Sequence, residues 1–403
     1  MNIAVVDKYF SDINLDIRIK GNNPRFIDQK CTPDVLSFIA DSIINLDKEE
    51  FIRDDIWTLD YFKKNAVLIF NKPSPNNSKV SNEYDKFISQ PLDLLSYAGI
   101  LVKNKVGNKN KFTINNDTRD ILEYIAMRDR NAYLFLLAYL TKVLTDSGFI
   151  KHIDYFIATQ TQEAYALLKS KFECFLIGNS NLGNRGSFNG GKVEARRIFS
   201  KVINVFAVDK NSLGTAKGHL SKSIITYQDL MYNEINFRDL GKLKNISRKE
   251  EKENRLSSPQ KYNKFLIQKA MQWIRRHHKY SEVTDDLYGP TAEVHHIFPR
   301  KDFYEISGYI ENLIALTAGQ HKDRAHPKSN GNEIDLMYQC VCLRAKNKTI
   351  QKELESGNPS QYSKHDFIYV LNTGFKQPDF VPQSSTFQEI DNLICRYYKT
   401  ADI

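Results

Sequence analysis

Cysteine is scarce in this sequence. The 403 residues include five cysteines, an odd number scattered along the chain at Cys31, Cys174, Cys340, Cys342 and Cys395. A small secreted scaffold held by disulfides would carry a denser and even set, so the sequence predicts free thiols in a reducing compartment. Cys340 and Cys342 are separated by one residue, which is too short a spacing for the Cys-x-x-Cys pairs of structural zinc sites.

Long apolar runs are also absent. The longest, Ala132 to Leu140, is far shorter than the roughly 20 residues that cross a bilayer. The segment from Met1 to Phe10 contains Asp7 and lacks the apolar core of a signal peptide. We therefore expect a cytoplasmic protein without a membrane partner.

The overall composition is that of a globular chain with a basic excess. Hydrophobic residues make up 41% and aromatic residues 12%, which excludes a disordered protein, and 403 residues are enough for two or three domains. Basic residues outnumber acidic ones by 57 to 48, giving a formal net charge of +9. This excess favours a polyanionic partner such as nucleic acid, although a basic surface is also common without one.

The histidines are concentrated in one part of the chain. Six of the nine fall within residues 277–326. His295 and His296 end a short apolar stretch with strand character, Asn312 follows His296 by sixteen residues, and His321 follows Asn312 by nine. Because adjacent residues of a strand point to opposite faces, the two neighbouring imidazoles are expected to diverge. One of them can then bind a metal while the other faces an attacking water.

This order of residues resembles the HNH family of nucleases over about residues 290–330. The resemblance implies a ββα-metal fold, in which a two-stranded hairpin and a helix surround one divalent ion, expected to be Mg²⁺ with Mn²⁺ or Zn²⁺ as alternatives. It makes His295 and His321 the metal ligands and His296 the general base. It gives Asn312 the role of orienting the loop that carries the base. Many members also carry two Cys-x-x-Cys pairs, which this chain lacks.

The chemistry of phosphodiester hydrolysis agrees with these residue types. Cleavage requires a nucleophilic water, neutralisation of the phosphate charge and stabilisation of the departing oxygen. A divalent cation can supply the last two, and a neutral histidine near pH 7 can supply the first. Asn312 has both donors and acceptors, which suits a residue that joins two loop segments. Thr317, four residues before His321, is expected to cap the short helix that carries this histidine.

Two further residues are candidates for the same site. His326 follows His321 by five residues, about 140° around an ideal α-helix, and it precedes Pro327, which disfavours helical backbone at position 326. Its participation as an additional ligand is therefore left open, as is that of Arg300. Each feature alone is more often structural, since a His-His pair can lie on a surface and Asn312–Leu316 can begin an ordinary strand or helix. Their joint occurrence in this order favours function.

Residues 84–115 have the pattern of a helix followed by a basic hairpin. The sequence predicts a short helix from Ser89 to Tyr97, with Ser89 as its cap and Pro91 in its first turn. Two apolar segments, 100–103 and 111–114, flank a turn that contains Gly107. The hairpin carries four lysines, Lys103, Lys105, Lys109 and Lys111. The combination resembles a winged-helix DNA-binding domain, and a generic αββ unit with a solvated lysine face is the alternative.

The most glycine-rich stretch of the chain is 178–192. It has the spacing of a phosphate-binding P-loop up to Lys192, but Val193 stands where a Ser or Thr must reach Mg²⁺. We therefore exclude nucleotide hydrolysis by this motif. Arg185 and Lys192 are instead candidates for contacts with DNA phosphates, and a plain surface loop is the alternative.

Most of the remaining sequence is helical in pattern. Helices are expected at 33–40 with Thr32 as the cap, over 117–144, at 161–175, from Ser257–Pro259 onward, at 333–354, and near the C-terminus with Ser385 and Gln388 as a capping box. His277 and His278 are expected on the basic face of the helix that starts near 259, and not in the metal site.

Together these patterns predict a mixed α+β protein with a recognition part at 1–255 and an HNH nuclease domain at 256–403. The predicted function is metal-dependent cleavage of double-stranded DNA at specific sites, as in a type II restriction endonuclease, because the motif lies in a long scaffold of its own. A homing or other HNH endonuclease is one alternative, and a non-enzymatic winged-helix regulator is another. The oligomeric state is left open between a monomer and a homodimer.

Overall fold

The computed structural model describes residues 3–19, 25–70, 72, 75, 81–180, 182, 188–232, 264–327, 334–356 and 360–400. Residue contacts divide the chain into two units, one formed by Ile3–Ser258 and the other by Met1–Asn2 with Pro259–Ile403. Helices predominate over strands in a mixed α+β architecture, as the sequence predicts. This division lies close to the boundary between 255 and 256 that the sequence suggests.

The first unit is largely helical. Its helices are α1 (Ile3–Ser11), α2 (Pro33–Asn45), α3 (Arg53–Thr58), α4 (Asp60–Phe70), α5 (Ser81–Tyr97), α6 (Arg119–Met127), α7 (Asp129–Asp146), α8 (Ile150–Thr159), α9 (Gln162–Asn179) and α10 (Phe188–Asp209). Its strands are β1 (Glu50–Ile52), β2 (Leu101–Val106), β3 (Lys109–Ile114), β4 (Leu213–Ala216) and β5 (His219–Ile224).

The predicted basic hairpin is present and is longer than expected. β2 and β3 pair antiparallel from Leu101 opposite Ile114 to Val106 opposite Lys109. Gly107 makes the turn with a φ of +59°, a left-handed conformation that glycine adopts without steric cost. β1 pairs with the outer side of β3, so the strand order of this sheet is β1-β3-β2.

The start of helix α5 differs from the prediction. The helix begins at Ser81 and not at Ser89, and Pro91 therefore lies inside it. The Ser89 hydroxyl donates to the carbonyl oxygen of Asp85 within the helix instead of capping it. Proline removes one backbone hydrogen bond, but the side chains of Tyr84 and Phe87 are fully buried. Their packing outweighs the local penalty that sequence reasoning used to place the helix start.

The core of the first unit forms around α2, which packs against α6 and α7. These two helices confirm the buried helical segment predicted over 117–144. Thr32 is the N-cap residue of α2, as predicted, but its hydroxyl donates to Asp34 at 2.6 Å and makes no capping hydrogen bond. Among the described residues no single helix is long and apolar enough to cross a membrane, although α7 and α8, bent by 114° at their junction, reach that length and apolarity together.

The second unit contains the histidine-rich segment. Its helices are α11 (264–277), α12 (Leu336–Glu355), α13 (Lys364–Gly374) and α14 (Phe387–Thr400), and its strands are β6 (Glu293–His296) and β7 (Leu313–Leu316). Short 3₁₀ turns cover Tyr304–Ile306 and Ile310–Asn312. The predicted start of α11 at Ser257–Pro259 lies outside the described residues.

Two details of the C-terminal helices correct the sequence prediction. α13 has no counterpart among the predicted elements. The capping box of α14 is formed by Thr386 and Glu389, one residue beyond the predicted Ser385 and Gln388: the Glu389 carboxylate accepts from the Thr386 backbone at 2.7 Å, and the Thr386 hydroxyl accepts from the Glu389 backbone at 3.3 Å. Ser385 is followed by Thr386 and Gln388 by Glu389, so the sequence pattern of a capping box fits either pair equally well.

These helices brace the segment that follows β6. Gln339 of α12 donates from Nε2 to the carbonyl oxygen of Ile297 at 2.6 Å, and its Oε1 accepts from the Tyr398 hydroxyl of α14 at 2.7 Å. The ring of Phe298 lies directly on Gly374 of α13, where a Cβ atom would overlap the ring. Contacts from α12 and α13 therefore fix the segment after the paired histidines, and α14 fixes it indirectly through Gln339.

Candidate metal centre

The paired histidines lie on a two-stranded hairpin. β6 and β7 run antiparallel, with His295 opposite Ile314 and His296 opposite Leu313. All four residues of β7 are buried, which explains why Leu313–Leu316 reads as a continuous apolar run and not as an alternating strand. This hairpin carries the first candidate ligand and the candidate base on adjacent positions.

A reciprocal cap starts the helical segment after β7. The Thr317 hydroxyl accepts from the backbone N–H of Gln320 at 3.2 Å, and Gln320 Oε1 accepts from the backbone N–H of Thr317 at 3.0 Å. The predicted cap at Thr317 is confirmed. Gln320 was not singled out from the sequence, although its position three residues after a Thr is the signature of a capping box. Gln320 is fully buried and also bonds the Ser281 hydroxyl, at 2.6 Å.

The helical segment does not continue as an α-helix. Gln320–Ala325 winds as a π-helix, and the backbone N–H of His326 donates to the carbonyl oxygen of His321 at 3.2 Å, five residues earlier. One π-turn therefore separates the two histidines. The assumption of an ideal α-helix, which placed His326 about 140° from His321, is wrong for this segment. Pro327 is compatible with this geometry, because His326 leaves the helical region as the segment ends.

Three imidazoles converge as a result. The candidate ligand atoms of His295, His321 and His326 all lie within 4.8 Å of one another. Their ring centroids form a nearly equilateral triangle with separations of 5.2, 5.0 and 5.0 Å. One candidate ligand, His295, comes from the hairpin, His321 lies in the π-helical segment, and His326 is the residue that ends this segment. The geometry thus includes the two ligands assigned from the sequence together with His326.

The environment of His295 suits a metal ligand. The residue is 7% exposed, and its Nε2 atom is buried without a hydrogen-bond partner among the described residues. Burial, together with the neighbouring His321 and His326, lowers the pKa of His295 to about 3. The imidazole is therefore neutral near pH 7, the state that binds metals. A buried polar atom without a partner is costly, and a metal ion would satisfy it.

His321 has the same electrostatic character. Burial and the adjacent His326 lower the pKa of His321, and the Glu293 carboxylate opposes this in part. His321 and His326 are each partly exposed, so the cluster is open on one side while His295 closes the other. Three imidazoles with an open side fit a divalent transition metal with one free coordination position.

His296 lies on the opposite face of the same strand. Its Nε2 donates to the carbonyl oxygen of Ser307 at 3.0 Å. That bond assigns the proton to Nε2 and leaves the lone pair on Nδ1. Burial lowers the pKa of His296, the backbone bond to Ser307 raises it, and the charge of Arg300 lowers it further. The net effect is a lowered pKa, so His296 is a neutral imidazole that could accept a proton near pH 7.

Asn312 is completely buried and fastens the loop after β6. Its Oδ1 accepts from the backbone N–H of Phe298 at 2.8 Å, and its Nδ2 donates to the carbonyl oxygens of Phe298 at 3.1 Å and Ile306 at 3.4 Å. Its own carbonyl oxygen accepts from the backbone N–H of Ile297 at 2.8 Å. The side chain thus bonds both ends of the loop between the histidines and Ser307, and its hydrogen bonds within the described residues do not include the three imidazoles.

Arg300, the other additional candidate, is not part of the three-histidine cluster. Its guanidinium group is exposed and lies over the ring of Tyr304 at 5.9 Å from the centroid. Its charge is close enough to lower the pKa of His296. The structure therefore places Arg300 on the His296 side of the hairpin.

A buried ion pair supports β7 from behind. Lys346 and Glu282 are both buried, and Lys346 Nζ donates to Glu282 Oε1 at 2.7 Å and to the Tyr362 hydroxyl at 2.9 Å. Glu282 Oε1 also accepts from the backbone N–H of Ala315 in β7, at 2.9 Å. His278 bonds the same Tyr362 hydroxyl at 2.8 Å. His278 therefore belongs to this network and not to the three-histidine cluster, where the sequence also did not place it.

The candidate DNA-binding lysines of the first unit are mostly paired with carboxylates. Lys103 contacts Asp93 at 2.6 Å, and Lys109 contacts Asp54 at 3.2 Å. Lys111, the fourth lysine of this hairpin, pairs with Glu50. Lys105 makes no ion pair within the described part of the chain.

The other two candidates come from the glycine-rich stretch. Lys192 lies in the first turns of α10 and is partly exposed. Arg185 lies outside the described residues.

Comparison with models of known protein families, with curated proteins and with solved structures finds no match to this chain.

Proposed function

We propose that this protein is a metal-dependent endonuclease of double-stranded DNA, with an HNH-like site in the second unit. The observation that carries the proposal is the position of four histidines around one hairpin. Three of them, His295, His321 and His326, converge on one face, and His296 lies on the opposite face of the same strand. The antiparallel hairpin followed by a short helical segment is the arrangement expected for a ββα-metal nuclease.

The donor set favours a transition metal over the Mg²⁺ expected from the sequence. Imidazole nitrogen suits Zn²⁺, Cu, Fe and Ni, whereas Mg²⁺ prefers oxygen ligands. The three ligands would be His295, His321 and His326, and a site with three protein ligands leaves a position for substrate or water. Bound there, a divalent ion would neutralise charge on the scissile phosphate and stabilise the departing oxygen.

The remaining steps belong to the side chains around the hairpin. His296 accepts the proton of the attacking water at Nδ1, because its Nε2 proton is held by the Ser307 carbonyl. Asn312 keeps Phe298 and the loop behind it in place, so that this tautomer and ring position persist. Arg300 offers a cation to the phosphate from the same side.

Features of the first unit support DNA as the substrate. Its sheet has the order β1-β3-β2, with α5 directly before the β2–β3 hairpin, as in a winged helix. The formal net charge of +9 favours a polyanionic partner. Within this class we propose a type II restriction endonuclease acting in the cytoplasm, and a homing or other HNH endonuclease is the next candidate. A winged-helix regulator without nuclease activity is the candidate from a different class.

Plasmid cleavage tests the proposal. The purified protein is stripped with a chelator and incubated with supercoiled plasmids of varied sequence, without metal and with Zn²⁺, Mn²⁺ or Mg²⁺. We expect cleavage only with added metal and discrete fragments at fixed sites. The His296→Ala variant should lose about 10²–10⁴-fold in rate, the range that a general base contributes, while its metal content stays at the wild-type level.

His365 provides a matched control, because it is an exposed histidine of the same unit outside the cluster. The His365→Ala variant should cleave at the wild-type rate. Failure of the wild-type protein to cleave with any of the three metals, or equal cleavage by His296→Ala, would refute the proposed activity. Nicking without sequence preference would support the nuclease activity but refute the assignment to the restriction endonucleases.

A further inference from the structure

The first unit contains a cavity of about 540 Å³ between helix α10 and the β4–β5 hairpin, which we call the α10 groove. Neither the hairpin nor the groove was expected from the sequence. One wall is the face of α10 formed by residues Val193, Arg196, Arg197, Ser200, Lys201 and Asn204. These positions recur at intervals of three and four residues, so they form one continuous stripe along the helix.

The charged side chains of the groove are mostly basic, and apolar residues such as Leu136, Val205 and Ile225 line much of the rest. Four cationic residues line it, Arg196, Arg197, Lys201 and Lys217, and Asp229 is the single carboxylate among the lining residues. Arg196 also pairs with Glu173 at 2.7 Å. A cleft lined by one sign of charge concentrates ions of the opposite sign, so the groove favours an anion.

The second wall is held rigidly against the helix. Asn204 of α10 accepts from the backbone N–H of Thr215 at 2.8 Å and donates to the carbonyl oxygen of Thr215 at 3.0 Å. The Tyr165 hydroxyl of α9 lies 2.7 Å from the Thr215 hydroxyl. At the tip of the hairpin, Lys169 donates to the carbonyl oxygen of Gly218 at 2.6 Å. The groove is therefore formed before any ligand binds.

Length argues for a polymeric anion over a single phosphate. The stripe from Val193 to Asn204 covers eleven residue steps, about 16 Å at the 1.5 Å rise of an α-helix. Duplex DNA carries a negative charge about every 1.7 Å of its axis, so several phosphates fit this length. In the β2–β3 hairpin, Lys103, Lys109 and Lys111 are in ion pairs with carboxylates, and Lys105 makes no ion pair within the described residues.

We propose that the α10 groove, with Arg197 on the helix and Lys217 at the hairpin tip, binds phosphates of the DNA backbone. This inference rests on the proposed function and adds a DNA contact in the first unit outside the β2–β3 hairpin. The groove positions the duplex, and phosphate contacts of this kind carry no sequence information themselves.

The test measures how salt weakens DNA binding. The full chain carries His296→Ala in all samples, with chelator present, so that the DNA stays intact. Binding of a 30-base-pair duplex is measured by fluorescence anisotropy from low to high salt for four proteins: this parent, the groove variant Arg197→Gln/Lys217→Asn, a charge-conserving variant and a control. Asn is chosen at Lys217 because this position has a φ of +52°, which Asn tolerates.

The control is Lys8→Gln/Lys64→Gln, which removes the same charge from two exposed lysines on α1 and α4, away from the groove. We expect the groove variant to bind more weakly, with the slope of log affinity against log salt reduced by about two units, close to one per lost phosphate contact. The control should keep the parent slope. A charge-conserving variant, Arg197→Lys/Lys217→Arg, should also keep it, and this comparison remains valid if the groove variant folds poorly.

The outcomes separate the two proposals. If parent and groove variant both bind DNA with equal slopes of log affinity against log salt, the proposed DNA contact in the groove is overturned and the nuclease proposal is unaffected. Loss of slope in the charge-conserving variant would likewise overturn this contact. Displacement of the duplex by a mononucleotide at fixed ionic strength would assign the groove to a small phosphate ligand and overturn the DNA contact. A parent protein that binds no duplex at any salt concentration would refute the proposed function as well.

Discussion

The backbone N–H of His326 donates to the carbonyl oxygen of His321 at 3.2 Å, and this five-residue bond places the two imidazoles with centroids 5.0 Å apart. In an α-helix the partner of residue 326 would be Lys322, and the two rings would point in different directions. The π-helical winding of Gln320–Ala325 thus creates the third position of the candidate metal site. Such local π-turns are frequent at functional sites.

Removal of His326 should weaken metal binding. We expect His326→Ala to lower the affinity for Zn²⁺ by more than the roughly 10–100-fold that loss of an outer-shell partner costs, because a direct ligand is lost. Isothermal titration of the chelator-treated protein with Zn²⁺ measures this change. His365→Ala, at an exposed position in the same unit, serves as the control and should bind as the wild type does. Unchanged Zn²⁺ affinity in His326→Ala would show that His326 is not a ligand and would leave His295 and His321 as the candidate ligands.

Replacement of Asn312 by Asp should displace the loop after the paired histidines. The carboxylate keeps an acceptor for the Phe298 N–H but loses the donor to the Phe298 and Ile306 carbonyl oxygens. An unsatisfied buried polar group costs about 1–3 kcal/mol, more when charged, so the second unit should unfold at lower denaturant. Urea unfolding measures this, and Asn392→Asp, at an exposed position on α14, is the matched change. Equal midpoints for both variants would contradict the role assigned to Asn312.

Adding a single methyl group at Gly374 should disrupt its contact with Phe298 and lower the stability of the second unit. A Cβ atom at position 374 would overlap the Phe298 ring, so Gly374→Ala should destabilise the second unit by about 1–3 kcal/mol. Gly289→Ala is the control, because its Cβ would meet only Thr317, at an ordinary 3.6 Å. Thermal unfolding of the three proteins measures the difference. A second change, Phe298→Leu, should restore part of the stability lost in Gly374→Ala, and no restoration would argue against this contact as the cause.

Acid stability of the first unit should depend on Glu83. Burial raises the pKa of Glu83, but Lys30, Lys72 and the Tyr232 hydroxyl outweigh it and lower the pKa from its ordinary 4.5 to about 2. Because the folded pKa lies below the unfolded one, the unfolded chain binds the proton first. The stabilisation is therefore complete above about pH 4.5 and is lost as the pH falls towards 2.

The Glu83→Gln variant should lose less stability between pH 4.5 and 2 than the wild type does. Denaturant unfolding at a series of pH values measures the slope in this interval, with Glu163→Gln, at an exposed position on α9, as the control. The same slope in Glu83→Gln and in the wild type would show that the ion pairs of Glu83 do not contribute.

Several features of the candidate site could be predicted from the sequence because they depend on local spacing. Two adjacent residues of a strand face opposite ways whatever surrounds them, so the separation of His295 and His296 follows from the strand alone. The cap at Thr317 and the Gly107 hairpin follow in the same way from backbone preferences of single residues. The α+β class follows from the same local patterns.

Other features were decided only by the tertiary structure. The start of α5 at Ser81 depends on burial of Tyr84 and Phe87, which outweighs the proline at position 91. The β4–β5 hairpin depends on Asn204 of α10, which bonds Thr215 from outside the strand pair. Sequence patterns report the average preference of a segment and do not include such distant partners.

The position of His326 shows the same limit at the site itself. A spacing of five residues does not bring two side chains together on an α-helix, and no residue type in 320–325 specifies a π-turn. The winding of this segment depends on its two anchored ends. Gln320 is bonded to Ser281, and the carbonyl oxygen of Ala325 accepts from the backbone N–H of Asp335 at 2.9 Å. The sequence therefore determined which histidines were available, and the tertiary contacts at both ends of the segment decided that three of them meet.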